Sequence, residues 1–360
     1  MASKRYLVVN PFGIGDVIFT MPLVESLRVQ DPGAFIGFVC NERTFELVRM
    51  NTAIDRTYIF NRDRIRKLWK KNLFLFYRKL SAFLALLKED RFDVLVDLSL
   101  GREAGFYAWM IGIRDRAGFD TRGRGLFLTK KLGLDGYAGR PVAEIQMDLL
   151  SCLGFSRPSQ PPSLSLRTSE AAQIAAAAFL KKSGFHVQDR FLAVAPGGGK
   201  SWGPNAVYKQ WDPEFFAQAA DDFCRARGGR TRVVLLGDRS EEALLEKVRG
   251  LIKTSAIPAL GFTLEETAAL LLKMEALLCN DGGLMHLANA LNVKTVSVFG
   301  PVDEKVYGPY GGTAKREVLV EAVPCRPCYQ KFYFPPCHHE RRCLTRLPVA
   351  RAVEALKKIA

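Results

Sequence analysis

The sequence predicts an α/β fold in two domains, each a parallel sheet covered by helices. Near the N-terminus, the apolar run YLVVN is followed by the glycine loop PFGIGD and a helical pattern. The same order returns in the second half, where FLAVA is followed by PGGGK and a helical pattern. Strand, glycine loop and helix are the opening of a Rossmann-like unit, so we expect two such units.

Between the two halves, SRPSQPPSLSLRTS interrupts the α/β pattern with proline and serine, which is typical of a linker. We therefore expect a first Rossmann-like domain at residues 1–160 and a second at 170–345. A last helix, at 346–360, could cross back to the first domain.

The composition is that of a globular protein: 360 residues, 48% hydrophobic and 25% charged. No apolar run is long enough to span a bilayer, and MASKRYLVVN enters a strand without a signal peptide. These features predict a cytoplasmic protein, or one on the cytoplasmic face of a membrane.

The chain is strongly basic, with 52 Lys and Arg against 37 Asp and Glu, a net charge of +15. This balance favours a polyanionic partner, which could be nucleic acid, an anionic membrane or a phosphorylated substrate.

The first glycine loop does not predict a nicotinamide site. Gly13 and Gly15 are present, but Ile18 occupies the third glycine position of the dinucleotide fingerprint. Asp16 lies near the start of the following helix. It could simply cap that helix, or it could act as a base that the helix N-terminus keeps ionised.

A basic segment with aromatic residues begins after Asn61, and its pattern predicts one long amphipathic helix. Such a helix is typical of a membrane interface, but a helix packed on the sheet with a solvated basic face is the alternative. Nucleic-acid binding has less support, because no nucleic-acid motif accompanies the charge. The residues we expect to face an acceptor or a membrane here are Arg62, Arg66, Lys67, Trp69 and Lys70.

Two loops of the second half contain phosphate- and ribose-binding candidates. Lys200 and Lys209 follow the glycine loop PGGGK, and lysine there suits a phosphate, although the Walker A spacing is missing. Glu241 and Glu242 follow a strand end, where carboxylates bind ribose hydroxyls; alternatively, they complement a helix dipole.

Residues 279–301, CNDGGLMHLANALNVKTVSVFGP, predict strand, loop, helix, strand and loop in turn. Asp281 precedes Gly282 and Gly283, where the backbone can approach a ligand. The N-terminus of the following helix, through Leu284 and Met285, favours an anion. His286 faces the same loop, although a lone histidine is more often structural.

Four cysteines crowd the C-terminal tail, together with two histidines. The ligand types suit zinc but the spacing of the second pair does not, so cysteine packing or a disulfide are the alternatives. These residues are Cys325, Cys328, Cys337 and Cys343.

Several motifs, in order, resemble signatures of glycosyltransferase family nine, the ADP-heptose:lipopolysaccharide heptosyltransferases. The specific ones are NPFGIGDVIFTMPLVESLR and CNDGGLMHLANALNVKTVSVFGP; the others are PGGGKSWGP…KQW, LLGDRSEE and CRPC…PPC…CL. The resemblance implies the GT-B architecture, two Rossmann-like domains facing an interdomain cleft. It also implies inverting transfer of heptose from ADP-heptose to a lipopolysaccharide core.

The resemblance also implies roles for individual residues. Asp16 would deprotonate the acceptor hydroxyl, with Gly13 and Gly15 beside it. Lys209, before Trp211, would contact the donor phosphate, although the long excursion leaves Lys200 as an alternative. Asp281 would hold the heptose hydroxyls, with the loop after it at the diphosphate and His286 nearby. Glu241 or Glu242 would hold the ribose.

No metal or other cofactor is expected if lysine and backbone amides hold the diphosphate. The expected partners are a nucleotide sugar, an anionic glycolipid and the inner face of the cytoplasmic membrane, with no nucleic acid. Two alternatives remain: a sugar-nucleotide epimerase on the same fold, and a basic membrane- or nucleic-acid-binding protein without catalysis.

Overall fold

The computed structural model describes residues 3–185 and 189–360, without the side chains at positions 63, 200, 201 and 204. The chain divides into two compact units, residues 1–167 and residues 168–360. This division falls inside the proline- and serine-rich segment that was predicted to be the linker.

The first unit is a six-stranded sheet in which every neighbouring pair of strands is parallel, in the order β3-β2-β1-β4-β5-β6. Its strands are β1 (Arg5–Val9), β2 (Phe35–Cys40), β3 (Arg56–Ile59), β4 (Val94–Asp97), β5 (Asp115–Asp120) and β6 (Lys130–Gly133). Its helices are α1 (Ile14–Gln30), α2 (Phe45–Met50), α3 (Arg62–Lys71), α4 (Leu73–Glu89), α5 (Glu103–Met110), α6 (Val142–Met147) and α7 (Leu149–Cys152).

The second unit repeats this arrangement, with a parallel sheet in the order β12-β11-β10-β7-β8-β9. Its strands are β7 (Arg190–Ala195), β8 (Thr231–Leu236), β9 (Ala256–Ala259), β10 (Ala276–Asn280), β11 (Thr295–Phe299) and β12 (Arg316–Val320). Its helices are α8 (Glu170–Lys182), α9 (Pro213–Ala226), α10 (Glu242–Leu251), α11 (Leu264–Leu271), α12 (Gly283–Ala290), α13 (Glu304–Tyr307), α14 (Arg342–Thr345) and α15 (Val349–Ile359).

Both sheets therefore have the strand order of a Rossmann fold, and the predicted fold class is confirmed. In such sheets, ligands bind where the strand order reverses, beyond the carboxyl ends of the two central strands. These pairs are β1 with β4 in the first unit and β7 with β10 in the second. The loops after these four strands are thus the places to look for sites.

The predicted long basic helix is in fact two helices, α3 and α4, separated at Asn72. Asn72 has an extended backbone, and its side chain accepts a hydrogen bond from Leu75 N at 2.9 Å. Asparagine is a strong N-cap, so it starts a new helix even though the apolar and basic pattern continues through it.

One further element has no clear signal in the sequence. It is β6, an edge strand with a largely exposed KKLG sequence that lacks an apolar pattern. The last helix, α15, packs on α9 and on strands β10 to β12, and so belongs to the second unit. Its apolar face, which includes the buried Ala352, Leu356 and Ile359, completes the core of that unit.

Over the described ranges, no helix combines the length and the apolar character that crossing a membrane requires.

Candidate functional site

In the second unit, Asn280 ties together the loops after β7 and β10. It is buried at the end of β10, and its side-chain amide donates to Pro196 O at 2.7 Å. Its carbonyl oxygen accepts from Trp211 N at 2.9 Å. Asn280 was not among the predicted site residues, because it lies at the end of an apolar run and resembles an ordinary strand terminus.

The segment between Pro196 and Trp211, which both hydrogen-bond to Asn280, brings Lys209 to Asp281. Residues Lys200–Lys209 form an irregular 3₁₀ segment, and at its end Lys209 Nζ lies 2.7 Å from Asp281 Oδ2. Both side chains are nearly buried, with exposed fractions of 9% and 5%. The ring of Trp202 covers the ammonium, with its centroid 4.8 Å from Nζ. Two candidates that are far apart in sequence are thus in contact.

Asp281 Oδ2 is a buried carboxylate oxygen that accepts no hydrogen bond from any residue the structure describes. Its contact with Lys209 is therefore an ion pair at short distance without hydrogen-bonding geometry. Buried carboxylate oxygens are normally hydrogen-bonded, so an acceptor of this kind suits a ligand hydroxyl group.

His286 is buried in the first turn of α12, and burial lowers its pKa to about 4. The Lys209 ammonium lowers the pKa further, while the Asp281 carboxylate opposes this shift. The imidazole is therefore neutral at pH 7, when it can donate one hydrogen bond and accept another but carries no charge.

Helix α12 begins immediately beyond Asp281. Its first three residues are Gly283, Leu284 and Met285, whose N–H groups have no acceptor within the helix because they lie in its first turn. The Met285 side chain is fully buried, so only its backbone can face a ligand. Gly282, at the N-cap, has no neighbouring atom closer than 3.9 Å to the place of a Cβ, which leaves the approach open.

Glu241 lies against the glycine loop. A Cβ at position 197 would overlap its carboxylate, so Gly197 makes room for Glu241 beside the loop after β7. Asp238 N donates to Glu241 Oε2 at 3.2 Å and fixes the carboxylate at the end of β8. Glu242 is exposed on the first turn of α10. The structure thus brings Glu241, rather than Glu242, to the loop that leads to Lys209.

Lys200 begins the same segment, but its side chain lies outside the described residues, so its role stays a prediction.

The four C-terminal cysteines are free thiols that line one cavity together with His338 and His339. Among the residues the structure describes, no group of three or more His, Cys, Asp or Glu side chains is arranged to hold a metal ion. Burial raises the pKa of both Cys328 and Cys343 to about 11, so both thiols are protonated at neutral pH. Such thiols are poor nucleophiles and pack as small apolar groups.

In the first unit, Asp16 is the third residue of α1, and its carboxylate accepts a hydrogen bond from Gly13 N at 3.2 Å. Asp16 therefore caps the N-terminus of α1, which is one of the two roles predicted for it. Asn10 supports the same loop, because its side chain donates to Asp16 O at 3.0 Å and accepts from Phe12 N at 3.1 Å. Capping does not exclude chemistry, since a partly exposed carboxylate at the mouth of a sheet can also accept a proton.

Asp97 was not predicted as part of a site, yet it ends β4, next to β1, at the point where the first sheet reverses its order. It is buried, and burial raises its pKa to about 6, even though Ser99 N donates to it at 2.8 Å. An acidic residue at the carboxyl end of a central strand was the signal available in the sequence.

The basic helices α3 and α4 carry an exposed apolar patch at their junction. Its side chains are half or more exposed: Trp69, Leu73, Phe74 and Tyr77. Arg66, Lys67 and Lys70 lie exposed on α3 beside it. We call these residues the α3–α4 patch. Arg62, at the start of α3, lies over the ring of Phe12 at 5.7 Å and so connects α3 to the loop before α1, which ends at Gly13.

The chain is similar to known proteins over most of its length. The family model described as glycosyltransferase family 9 (heptosyltransferase) matches residues 81–334. The chain is 25% identical to a lipopolysaccharide heptosyltransferase 1 of Pseudomonas aeruginosa, over 98% of the chain and 97% of that protein.

Solved structures show similar folds. A glycosyl transferase of family 9 from Veillonella parvula is 25% identical, with a TM-score of 0.74 over 88% of this chain and 85% of that one. An Escherichia coli heptosyltransferase solved with ADP is 20% identical, with a TM-score of 0.71 over 99% of this chain and 100% of that one.

Proposed function

The chain belongs to glycosyltransferase family 9, and on that premise we propose that it transfers a heptose from ADP-heptose to a lipopolysaccharide core, with inversion at the anomeric carbon. In the proposed reaction the acceptor hydroxyl oxygen bonds to the anomeric carbon as the bond to the β-phosphate oxygen breaks. ADP leaves, and the hydroxyl proton passes to a base.

The observation that carries the proposal is the pairing of Lys209 with Asp281 beside the N-terminus of α12. A departing nucleoside diphosphate gains negative charge, which an ammonium group and free N–H groups stabilise. Lys209 and the N–H groups of Gly283, Leu284 and Met285 are the groups we assign to the diphosphate. A buried carboxylate oxygen that accepts no hydrogen bond, Asp281 Oδ2, suits the heptose hydroxyls.

We assign the base to Asp16. Its carboxylate is partly exposed at the carboxyl end of β1, and its bond to Gly13 N holds it in one orientation. Glu241 is assigned to the ribose, because it stands beside Gly197 in the loop that leads to Lys209. The neutral His286 would hold Asp281 and the sugar in place rather than transfer a proton.

The acceptor and the location of the protein follow from charge. A lipopolysaccharide precursor is an anionic glycolipid, and the α3–α4 patch combines exposed cations with exposed aromatic side chains. We propose that this patch holds the protein at the inner face of the cytoplasmic membrane. Arg62, at the start of α3, contacts Phe12 in the loop that leads to Asp16. Since lysine and amide groups neutralise the diphosphate, transfer requires no metal and should persist in EDTA.

The test is turnover with purified protein. ADP release from ADP-heptose should rise when a heptose-deficient lipopolysaccharide core is added, and the product should gain the mass of one heptose. UDP- and GDP-sugars serve as controls for the preference for the adenine nucleobase of the donor. Isomerised donor without transfer would identify an epimerase instead, and no turnover of any nucleotide sugar would contradict the assignment.

A further inference from the structure

The indole ring of Trp202 lies over the Lys209 ammonium. It lies in the segment Lys200–Lys209, and its centroid is 4.8 Å from Lys209 Nζ. An indole face attracts a cation most strongly where water is excluded, and Lys209 is nearly buried. The Lys209 ammonium thus lies between the Trp202 ring and the Asp281 carboxylate.

The indole ring of Trp202 is held by residues 325–343, which contain the four C-terminal cysteines and which we call the cysteine-rich tail. Trp202 packs on Tyr329 and Phe334, with ring centroids 5.2 and 5.0 Å apart. Phe334 also packs on Tyr208, the residue before Lys209, at 5.3 Å. Two aromatic residues of the tail therefore fix the segment on both sides of its kink at Gly203.

The tail is anchored to the same loops at both of its ends. At one end, Arg326 donates to Gly300 O at 2.5 Å, and Cys328 N donates to Pro301 O at 2.8 Å. At the other end, Arg341 donates to Gln210 O at 3.0 Å and to the Asp212 carboxylate at 2.7 Å. The tail thus joins the loop after β11 to the residues that follow Lys209.

We propose that Trp202 is a positioning residue for the donor diphosphate, and that the cysteine-rich tail serves to hold it. An ammonium has three N–H donors. The Asp281 carboxylate and the indole face lie on two sides of the Lys209 ammonium. On its remaining side, the ammonium can donate a hydrogen bond to a phosphate oxygen. The ring also prevents the flexible lysine from turning to solvent, which lowers the entropy lost when the phosphate binds. This inference rests on the proposed donor site.

The experiment compares ADP with AMP, because only ADP carries the second phosphate. The dissociation constants of both are measured by calorimetry for wild type, Trp202→Leu, Trp202→Phe and the control Trp109→Leu. Trp109 is a half-exposed tryptophan of the first unit, outside the site. We expect Trp202→Leu to weaken ADP binding about 10-fold, which lies between the values for an exposed and for a desolvated cation–π contact, and AMP binding less than about 2-fold. Trp202→Phe should retain most ADP affinity.

Each result has one meaning. An ADP-selective loss in Trp202→Leu, with rescue by phenylalanine, supports the positioning role. An equal loss for ADP and AMP overturns it, since the indole would then contact the nucleoside or support the fold in general. Unchanged ADP affinity also overturns it. If wild-type protein binds ADP no more tightly than an unrelated nucleotide, the donor site itself is wrong, which is a separate failure.

Discussion

Lys209 and Asp281, 72 residues apart in the sequence, form an ion pair of 2.7 Å in which neither side chain is more than 9% exposed. Both charges are desolvated, and the free energy that desolvation costs offsets most of their mutual attraction. The ion pair therefore adds little to the free energy of unfolding. Its value is in placement: a cation for phosphate and an anion for sugar hydroxyls stand side by side, ready for a ligand that carries both groups.

Removing one partner of this pair should cost more than removing both. We expect Lys209→Met or Asp281→Asn alone to lower the free energy of unfolding by about 3 kcal/mol, because a buried charge is left uncompensated. The double variant should recover most of that loss. Urea unfolding of the four proteins gives the coupling energy directly.

ADP affinity, measured for wild type, the two single variants and the double variant, distinguishes a loss of ligand binding from a loss of stability. The double variant should be folded yet bind ADP at least about 10-fold more weakly, because the ammonium is gone. If the double variant is as unstable as the worse single variant, Lys209 and Asp281 are not energetically coupled in the folded protein.

Asp16→Asn tests the base without removing the cap. The Asn side-chain oxygen can still accept from Gly13 N, so the start of α1 should be preserved. Transfer should fall by about 10²- to 10⁴-fold, the usual contribution of a general base, while ADP affinity stays within 2-fold. Initial rates at saturating donor and acceptor give the comparison.

Asp16→Ala is the companion variant, since it loses both the base and the cap. It should match Asp16→Asn in rate but be less stable by about 1 kcal/mol. Near-normal transfer by either variant would reduce Asp16 to a structural residue.

Asp97 predicts a pH dependence of stability. Burial raises its pKa from 3.8 to about 6, so the folded state favours the protonated carboxyl. The corresponding stability is present below pH 3.8 and is lost as the pH rises through 6. Asp97→Asn removes this loss, and its side-chain oxygen can still accept from Ser99 N.

We therefore expect Asp97→Asn to be close to wild type near pH 4 and to be more stable by about 3 kcal/mol above pH 7, because raising the pKa from 3.8 to about 6 costs 1.36 kcal/mol for each pKa unit. Urea unfolding at half-unit steps from pH 4 to 8 measures the difference. The pH 4 value is the internal control, because any offset there reports packing rather than charge. A difference that does not change with pH would show that Asp97 ionises normally.

Much of this architecture could be predicted from local pattern alone. Strand, glycine loop and helix appear in both halves, and parallel strands bring the ends of β7 and β10 to one edge. That is why Asp281 and the start of α12 were found. The capping box at Thr263 is equally local, because it depends on four consecutive residues.

What could not be predicted depends on contacts between distant segments. The segment Lys200–Lys209 has no periodic pattern, so nothing in the sequence says where Lys209 points. Trp202 over Lys209 depends on Tyr329 and Phe334, which lie more than a hundred positions away. A break in the predicted basic helix was missed because one capping residue, Asn72, hardly alters the pattern around it.

The α3–α4 patch predicts salt-sensitive binding to anionic membranes. Lys67→Glu/Lys70→Glu should reduce co-sedimentation with vesicles that contain anionic lipid, since each basic residue contributes about 1 kcal/mol near such a surface. Binding of wild type should fall as salt is raised, and vesicles of neutral lipid should retain little protein. Trp69→Ala/Phe74→Ala should weaken binding at every salt concentration, because it removes apolar contact instead of charge.

The matched control is Lys181→Glu/Lys182→Glu, which makes the same change of charge at the exposed end of α8 in the second unit. If binding depends on the α3–α4 patch, this control should bind anionic vesicles like wild type while Lys67→Glu/Lys70→Glu does not. Equal losses in the two variants would mean that net charge alone attracts the protein. In that case the aromatic residues at the α3–α4 junction would need another explanation, and the proposed orientation on the membrane would be wrong.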